Sequence, residues 1–271
     1  MNGKRIALVT GVSSGIGLET ARLLAENGVR VFGTVRRNRG ESSGFETVPL
    51  DVTDESGVSE AVRSVLERAG RIDFLVNNAG YALRGGLEET SIEEARQLFD
   101  TNFFGVLRLI RAILPAMRKQ GFGRIANISS VLGFLPAPYL GIYSASKHAL
   151  EGYTETLDHE VRNFGIRAML VEPAFTKTNI NKNEKVVATS LDSYAEQKKR
   201  VADVSERGTA DGDEPRAVAE IVWRALTDPS PRMRYPVGRG VTLSRLRRFV
   251  PPRIFDRTFR KQFRLDEPVR H

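Results

Sequence analysis

Tyr143 and Lys147 stand four residues apart, a spacing that puts a phenol and an ammonium on one face of a helix. A nearby cation lowers the free energy of a phenolate, so the pair suits proton transfer close to neutral pH. Tyr-x-x-x-Lys alone is also a common surface pairing. Its weight comes from Ser130, which follows a β-branched run, and from Asn102, which opens an amphipathic stretch, because both belong at the ligand-binding edge of a sheet. Asn102, Ser130, Tyr143 and Lys147 are the catalytic candidates.

A second cluster lies near the start. Thr10-Gly11-Val12-Ser13-Ser14-Gly15-Ile16-Gly17 follows an apolar strand and opens a helical pattern. Glycines here allow a tight turn and close approach of backbone to a pyrophosphate, whose charge meets unpaired helix amides. No lysine follows the last glycine, which disfavours ATP. An ordinary glycine-rich turn is the alternative. After the second strand stands Val35, where an NAD site would place an acid, followed by Arg36 and Arg37. A guanidinium pairs with a 2′-phosphate, so this turn points to NADP(H), the alternative being a solvated basic turn. Asp51 is placed for the adenine amino group or for capping its own turn, and Val52 for the ring. Asn78, Ala79 and Gly80 let the backbone approach a ligand closely or bond neighbouring strands.

The elements that must position these groups alternate between two periods. Strands are expected at Ile6–Thr10, Val31–Thr34, Glu46–Pro49, Phe74–Asn77, Arg124–Ile128 and Arg167–Val171, with another near Met233–Val237. Helices are expected near Ile16–Asn27, Ser56–Ala69, Thr101–Lys119 and Ser144–Phe164. Such alternation predicts an α/β fold: a doubly wound, mostly parallel Rossmann sheet in one domain over residues 1–240. Within it, Thr176–Glu214 breaks the pattern with a polar stretch, helical-looking Ser193–Val201 and a glycine-containing acidic link. It reads as a substrate-side lid or a solvated loop.

The 271 residues carry 41 Lys and Arg against 33 Asp and Glu, a net charge of +8, with 41% hydrophobic residues, which excludes a composition-driven disordered chain. There is no cysteine, so thiolate catalysis and disulfide scaffolding are excluded. His148, His159 and His271 form no tight metal-binding pattern, and metal-free chemistry is expected. The short apolar start is too brief for a signal segment and no run approaches a membrane span, so a cytoplasmic location is expected. From Arg232 onward, twelve basic residues face three acids. This extension, 241–271, interleaves Leu243, Leu246, Phe249, Val250, Ile254, Phe255, Phe259 and Phe263, and Pro251-Pro252 divide it. It reads as amphipathic helices packed on their own domain or docking on an anionic membrane surface or acidic partner. Nucleic-acid binding is not expected.

Taken together, TGVSSGIG at Thr10–Gly17, NNAG at Asn77–Gly80, Asn102 in TNFFG, Ser130 in NISS and YSASK at Tyr143–Lys147 make the chain resemble the classical short-chain dehydrogenase/reductase family, from Lys4 to about Val237. The resemblance implies that Ser130 polarises the substrate oxygen and Tyr143 transfers its proton. It implies that Lys147 lowers the tyrosine pKa and binds nicotinamide ribose, and that Asn102 holds the lysine through water. Ser130 is preferred to Ser129 because its separation from Tyr143 matches a common family spacing. The family usually has Pro-Gly after the sixth strand; this chain has Pro173-Ala174, followed by Thr176, expected near the carboxamide. The implied reaction is hydride transfer between NADP(H) and a carbonyl or alcohol carbon. The segments Tyr81–Leu87 and Leu132–Tyr139, with Phe134, Leu135, Pro136 and Tyr139, offer an apolar pocket with few fixed charges, suited to a small hydrophobic ketone, aldehyde or alcohol. SVLGFLPAPYLGIYSASKHALEG resembles the retinol and hydroxysteroid dehydrogenase branch. The long helices resemble the family's oligomerisation surface, implying a homodimer or homotetramer. An NADP-binding scaffold with a basic docking tail is the non-enzymatic alternative.

Overall fold

Alternate residues of β1 (Ile6–Val9) bury against opposite layers: Ile6 and Leu8 join one apolar cluster, Ala7 and Val9 another. This is the signature of a strand covered on both faces. The computed structural model describes residues 4–36, 44–177, 184–242 and 249–267, so the Arg37 and Leu243–Leu246 expectations lie outside the described residues.

From β1 the chain passes through α1 (Gly15–Glu26) to β2 (Arg30–Val35) and on to β3 (Glu46–Pro49). It then turns back through α2 (Glu55–Ala69) and places β4 (Phe74–Asn77) on the other side of β1. Leu8 pairs with both Phe32 and Leu75, all strands running parallel. Beyond β4 follow β6 (Gly123–Ile128), β7 (Ile166–Glu172) and β9 (Arg234–Pro236), each parallel to its neighbour. The order β3-β2-β1-β4-β6-β7-β9 reverses direction between β1 and β4, which opens a crevice at the carboxyl ends of those strands. One face carries α2, α4 (Gly105–Gln120) and α5 (Gly141–Val161); the other carries α1 and α7 (Pro215–Thr227). No helix among the described residues is long and apolar enough to cross a membrane.

All seven expected strands form, each end within one residue of the sequence reading. Several elements depart from it. The helix expected to begin at Thr101 begins instead with α3 (Ile92–Phe99), where Ser91 and Glu94 form a reciprocal capping box, and continues through a π-helical turn at Asp100–Phe104 into α4. Pro215, at the first turn of α7, starts a helix not anticipated at all. The Thr176–Glu214 segment is more than a loop. Its β8 (Lys185–Val186) pairs in parallel with β5 (Leu83–Arg84), and α6 (Asp192–Ala210) extends well past the expected Ser193–Val201. Leu191 N donates to the buried Glu89 carboxylate at 2.7 Å and Ala188 N to Glu94 at 2.8 Å, tying the segment to the start of α3. Finally, α8 (Pro252–Gln262) follows Pro251.

Candidate active site

Ser130 ends the run that follows β6, and its extended backbone places the side chain as cap of a short 3-10 turn: Leu132 N donates to Ser130 Oγ at 3.1 Å. The hydroxyl proton is left for another acceptor. Tyr143 sits in the first turn of α5 and is hydrogen-bonded to Ser130; both line one cavity. Ser129 points elsewhere, donating to the buried Glu151 carboxylate. Lys147, one turn after Tyr143, donates to the Ile128 carbonyl at 2.7 Å, with its ammonium 5.7 Å from the centre of the tyrosine ring.

The electrostatics differ from the sequence expectation. Burial pushes the Tyr143 phenol up to about 12, with the Ser130 hydrogen bond pulling against it. Burial also pushes Lys147 down to about 8, opposed by Glu151. Burial thus dominates the shift of the tyrosine, and Tyr143 is held as a protonated acid. Asn102 likewise differs in detail. It lies inside the π turn, not at a helix start, accepting from Tyr81 N at 3.0 Å and donating to Tyr81 O at 2.9 Å. Its amide spans the backbone of the loop that follows β4, and its Nδ2 also lies 3.5 Å from Ser146 Oγ.

A second cavity, of about 470 Å³, opens at the reversal point of the sheet. Gly11, Ser13, Ser14, Gly15 and Ile16 form one wall, Arg36, Asp51 and Val52 another, and Asn78, Ala79 and Gly80 a third. The walls fit a dinucleotide. Gly11 has φ 70°, and a Cβ there would stand 3.1 Å from Ala79 Cα; Gly15 has φ 61°. Ser14 caps α1 through its extended backbone with no side-chain hydrogen bond, so the first-turn amides keep no side-chain acceptor, the donor set a pyrophosphate requires. Asn78 holds this turn against β4, its amide donating to Thr10 O at 2.9 Å and Gly11 O at 3.1 Å. Arg36 is exposed and forms no ion pair with any described residue. Asp51 lines the cavity and accepts from Thr53 N at 3.0 Å, capping its own turn.

Not all the expected binding residues reach this space. Gly17 is buried behind it: a Cβ there would stand 2.4 Å from Gly11 O. Pro173 lies outside the lining of this space, its carbonyl accepting from Val131 N at 3.0 Å, and Thr176 lines the cavity that holds Tyr143, the side on which a nicotinamide carboxamide is expected. Ala174 is absent from the left-handed backbone positions, so its methyl is accommodated without strain where the family pattern has glycine.

The cavity around Ser130 and Tyr143 has a volume of about 710 Å³ and is mainly apolar. Leu132, Leu135 and Pro136 form its floor as expected, whereas Phe134 and Tyr139 do not line it. Tyr139, held at φ 60°, instead donates to Gln197 and anchors α6. The roof is α8, which contributes Phe255 and Phe259, followed by Phe263. The fixed charges are Arg84, Glu184 and Arg239, which also line the space, and Arg84 pairs with Glu184 at 2.8 Å. Arg84 lies in the expected Tyr81–Leu87 segment and Glu184 in the Thr176–Glu214 segment; what a sequence reading does not show is that β5 and β8, two residues each, pair across a long separation and bring the two together.

Comparison with known proteins follows the same lines. A family model described as short chain dehydrogenase matches residues 5–187. The 3-ketodihydrosphingosine reductase of Bacteroides thetaiotaomicron is 38% identical over 236 residues, covering 86% of this chain and 88% of that protein. A short-chain dehydrogenase from Streptomyces avermitilis superposes with a TM-score of 0.82 at 33% identity, covering 98% of this chain and all of the other. ElxO with NADP bound gives 0.74 at 28% identity, covering 89% of this chain and all of the other. With its parallel sheet, glycine turn and Ser130–Tyr143–Lys147 cluster, the chain belongs to the short-chain dehydrogenase family of oxidoreductases.

Proposed function

We propose that the protein is an NADP(H)-dependent reductase of a hydrophobic ketone or aldehyde, with Tyr143 as the proton donor. The observation that carries this reading is the shared cavity in which Ser130 and Tyr143 meet under an apolar roof. Nicotinamide, when bound, supplies or accepts the hydride. The protein's own work is to place a carbonyl oxygen between two hydroxyls. Ser130, with its Oγ already accepting from Leu132 N, donates to that oxygen, and Tyr143 delivers the proton as negative charge grows there. Lys147 keeps a cation beside the phenol, both side chains being buried, and Asn102 fixes the loop that forms the cavity rim. In the reverse direction Tyr143 receives the proton of an alcohol.

Support for NADP(H) over NAD(H) comes from Val35 in place of an acid and from Arg36 beside it, which has no ion-pair partner among the described residues, both on the wall of the dinucleotide-shaped cavity. ElxO carries NADP on the same fold. Support for an apolar carbonyl comes from Leu132, Leu135, Phe255 and Phe259 around the two hydroxyls, and the Bacteroides relative is by name a reductase of a keto compound. Exposed Ile92 and Phe104, on α3 and at the start of α4, favour a homo-oligomer formed across that face.

The deciding experiment is NADPH oxidation by the purified chain against a panel of long-chain and cyclic ketones and aldehydes, with NADH in parallel and Tyr143→Phe as control. Turnover of apolar carbonyls with NADPH, lost in the control, is the expected result. Turnover undiminished in Tyr143→Phe, or equal use of the two coenzymes, defeats the corresponding part of the reading.

A further inference from the structure

The helix that roofs the cavity has a second face. At about 100° per residue, Phe255, Thr258, Phe259 and Gln262 of α8 cluster on the side toward the cavity. Arg253, Arg257 and Lys261 recur every four residues on the side away from it, all exposed. These three cations form no ion pair with any described residue, whereas Arg260 is paired with Asp266 at 2.7 Å and Arg264 with Glu267 at 2.6 Å. Asp256 is the remaining acid of the helix and is exposed. Between the cationic stripe and the cavity side lies Ile254, 58% exposed and part of the cavity rim, and just before the helix stands Phe249, 78% exposed. Two large apolar side chains in water next to unpaired cations match the chemistry of a lipid interface, where acyl chains take the apolar groups and anionic headgroups take the cations. In sequence, Arg245, Arg247 and Arg248 add three further cations immediately before Phe249.

We propose that α8, with Phe249 just before it, docks the protein on an anionic lipid surface, Phe249 and Ile254 entering the headgroup layer and Arg253, Arg257 and Lys261 contacting lipid phosphates or carboxylates. Because Ile254 is shared by this surface and the cavity rim, docking places the mouth of the cavity against the bilayer, and an apolar substrate passes from lipid to Tyr143 without crossing water. The route of the substrate rests on the reductase reading above. Docking itself does not.

The test is co-sedimentation of the full chain with phosphatidylcholine vesicles prepared with and without phosphatidylserine. Binding is expected only with phosphatidylserine, and it is released at high salt because screening shortens from about 10 Å at 0.1 M to about 3 Å at 1 M. The triple variant Arg253→Glu, Arg257→Glu, Lys261→Glu is expected to bind at least about a hundred-fold more weakly, and Phe249→Ser about tenfold more weakly. The milder pair Arg257→Gln, Lys261→Gln gives an intermediate loss and guards against misfolding of the triple variant. All of these cation variants retain turnover of a water-soluble carbonyl, since none of the three residues lines the cavity. Equal pelleting with both vesicle types, no pelleting with either, unchanged binding by the charge variants, or capture by duplex DNA in preference to vesicles would each overturn the proposal. Pelleting with phosphatidylserine by a chain that turns over no carbonyl would leave docking standing and defeat the reductase reading alone.

Discussion

Lys147 holds its ammonium 2.7 Å from the carbonyl oxygen of Ile128, so the cation beside Tyr143 is anchored to the carboxyl end of a central strand. Burial pushes this lysine down to about 8 while it pushes the phenol up to about 12. As pH rises, the lysine therefore loses its charge before the tyrosine loses its proton. Carbonyl reduction is expected to stay level below pH about 8 and to fall above it, as the cation that favours proton release by Tyr143 disappears. Lys147→Arg carries a guanidinium that does not titrate in this range, so its falling limb moves to higher pH. The check is kcat/KM for reduction against pH in both proteins; a limb that stays in place assigns the titration to another group.

Tyr143→Phe removes one hydroxyl from a side chain that is 8% exposed and leaves the ring in its packing with Leu98 and Val187. The fold and the dinucleotide cavity should survive. A proton donor of this kind contributes about 10² to 10⁴-fold, and the loss should fall on kcat while coenzyme binding, followed by fluorescence titration, stays within about twofold. Ser130→Ala should lose less than Tyr143→Phe, since Ser130 supplies a hydrogen bond and no proton.

Arg36 follows the end of β2, beside Val35, and forms no ion pair with any described residue. If it holds the 2′-phosphate, Val35→Asp, Arg36→Ala should weaken NADPH binding by about 1.5 to 3 kcal/mol, a factor of about ten to a hundred and fifty, and improve NADH. Relative kcat/KM for the two coenzymes is the readout, and an unchanged ratio rejects the phosphate contact.

The sheet is legible in the sequence because its strands are β-branched runs buried on both faces, and their limits follow from where glycine, asparagine and helical spacing begin. Thr10–Gly17 and Tyr143–Lys147 are legible because each is local: a turn, or one turn of helix. The rest is not local. The π turn that carries Asn102 exists because its amide meets the Tyr81 backbone, a match between residues 21 apart. Glu184 meets Arg84 at the rim of the substrate cavity because β5 pairs with β8, a hundred residues later. By contrast, α7 was within reach, since Val218, Val222 and Ala225 recur at helical spacing behind Pro215. The pKa directions of Tyr143 and Lys147 depend on burial, which spacing does not reveal.

Gly17 is the narrowest point of the coenzyme turn. A Cβ there would meet Gly11 O at 2.4 Å and Asn78 Nδ2 at 2.3 Å, and the first of these is backbone that side-chain rotation does not relieve. Gly17→Ala should push the turn away from β4 at a cost of about 1 to 3 kcal/mol. Because Asn78 holds the same turn to Thr10 O, NADPH affinity should drop with stability. Thermal melts with and without NADPH separate the two effects. A variant with wild-type melting temperature and wild-type stabilisation by NADPH would show that the turn is looser than its contacts imply.

Arg234 lies among three carboxylates, contacting the buried Glu151 and Glu172 and, at 2.8 Å, the half-exposed Glu155. Burial first and the neighbouring Glu151 second push Glu172 up to about 7, against the pull of Arg234. Removing the guanidinium leaves two buried carboxylates facing each other, so Arg234→Met should cost about 3 to 5 kcal/mol and lower the melting temperature by on the order of 10 °C. The pH dependence has a definite sign. A carboxyl whose folded pKa lies above its unfolded value of 4.5 binds more protons when folded, so its contribution to stability is complete below pH 4.5 and is lost as pH rises through about 7. Glu172→Gln carries no charge at any pH and should flatten the decline in melting temperature between pH 5 and 8. Arg234→Met should steepen it, because Glu172 then loses the cation that favours its ionised form. An equal decline in all three proteins would place the titrating group outside this cluster.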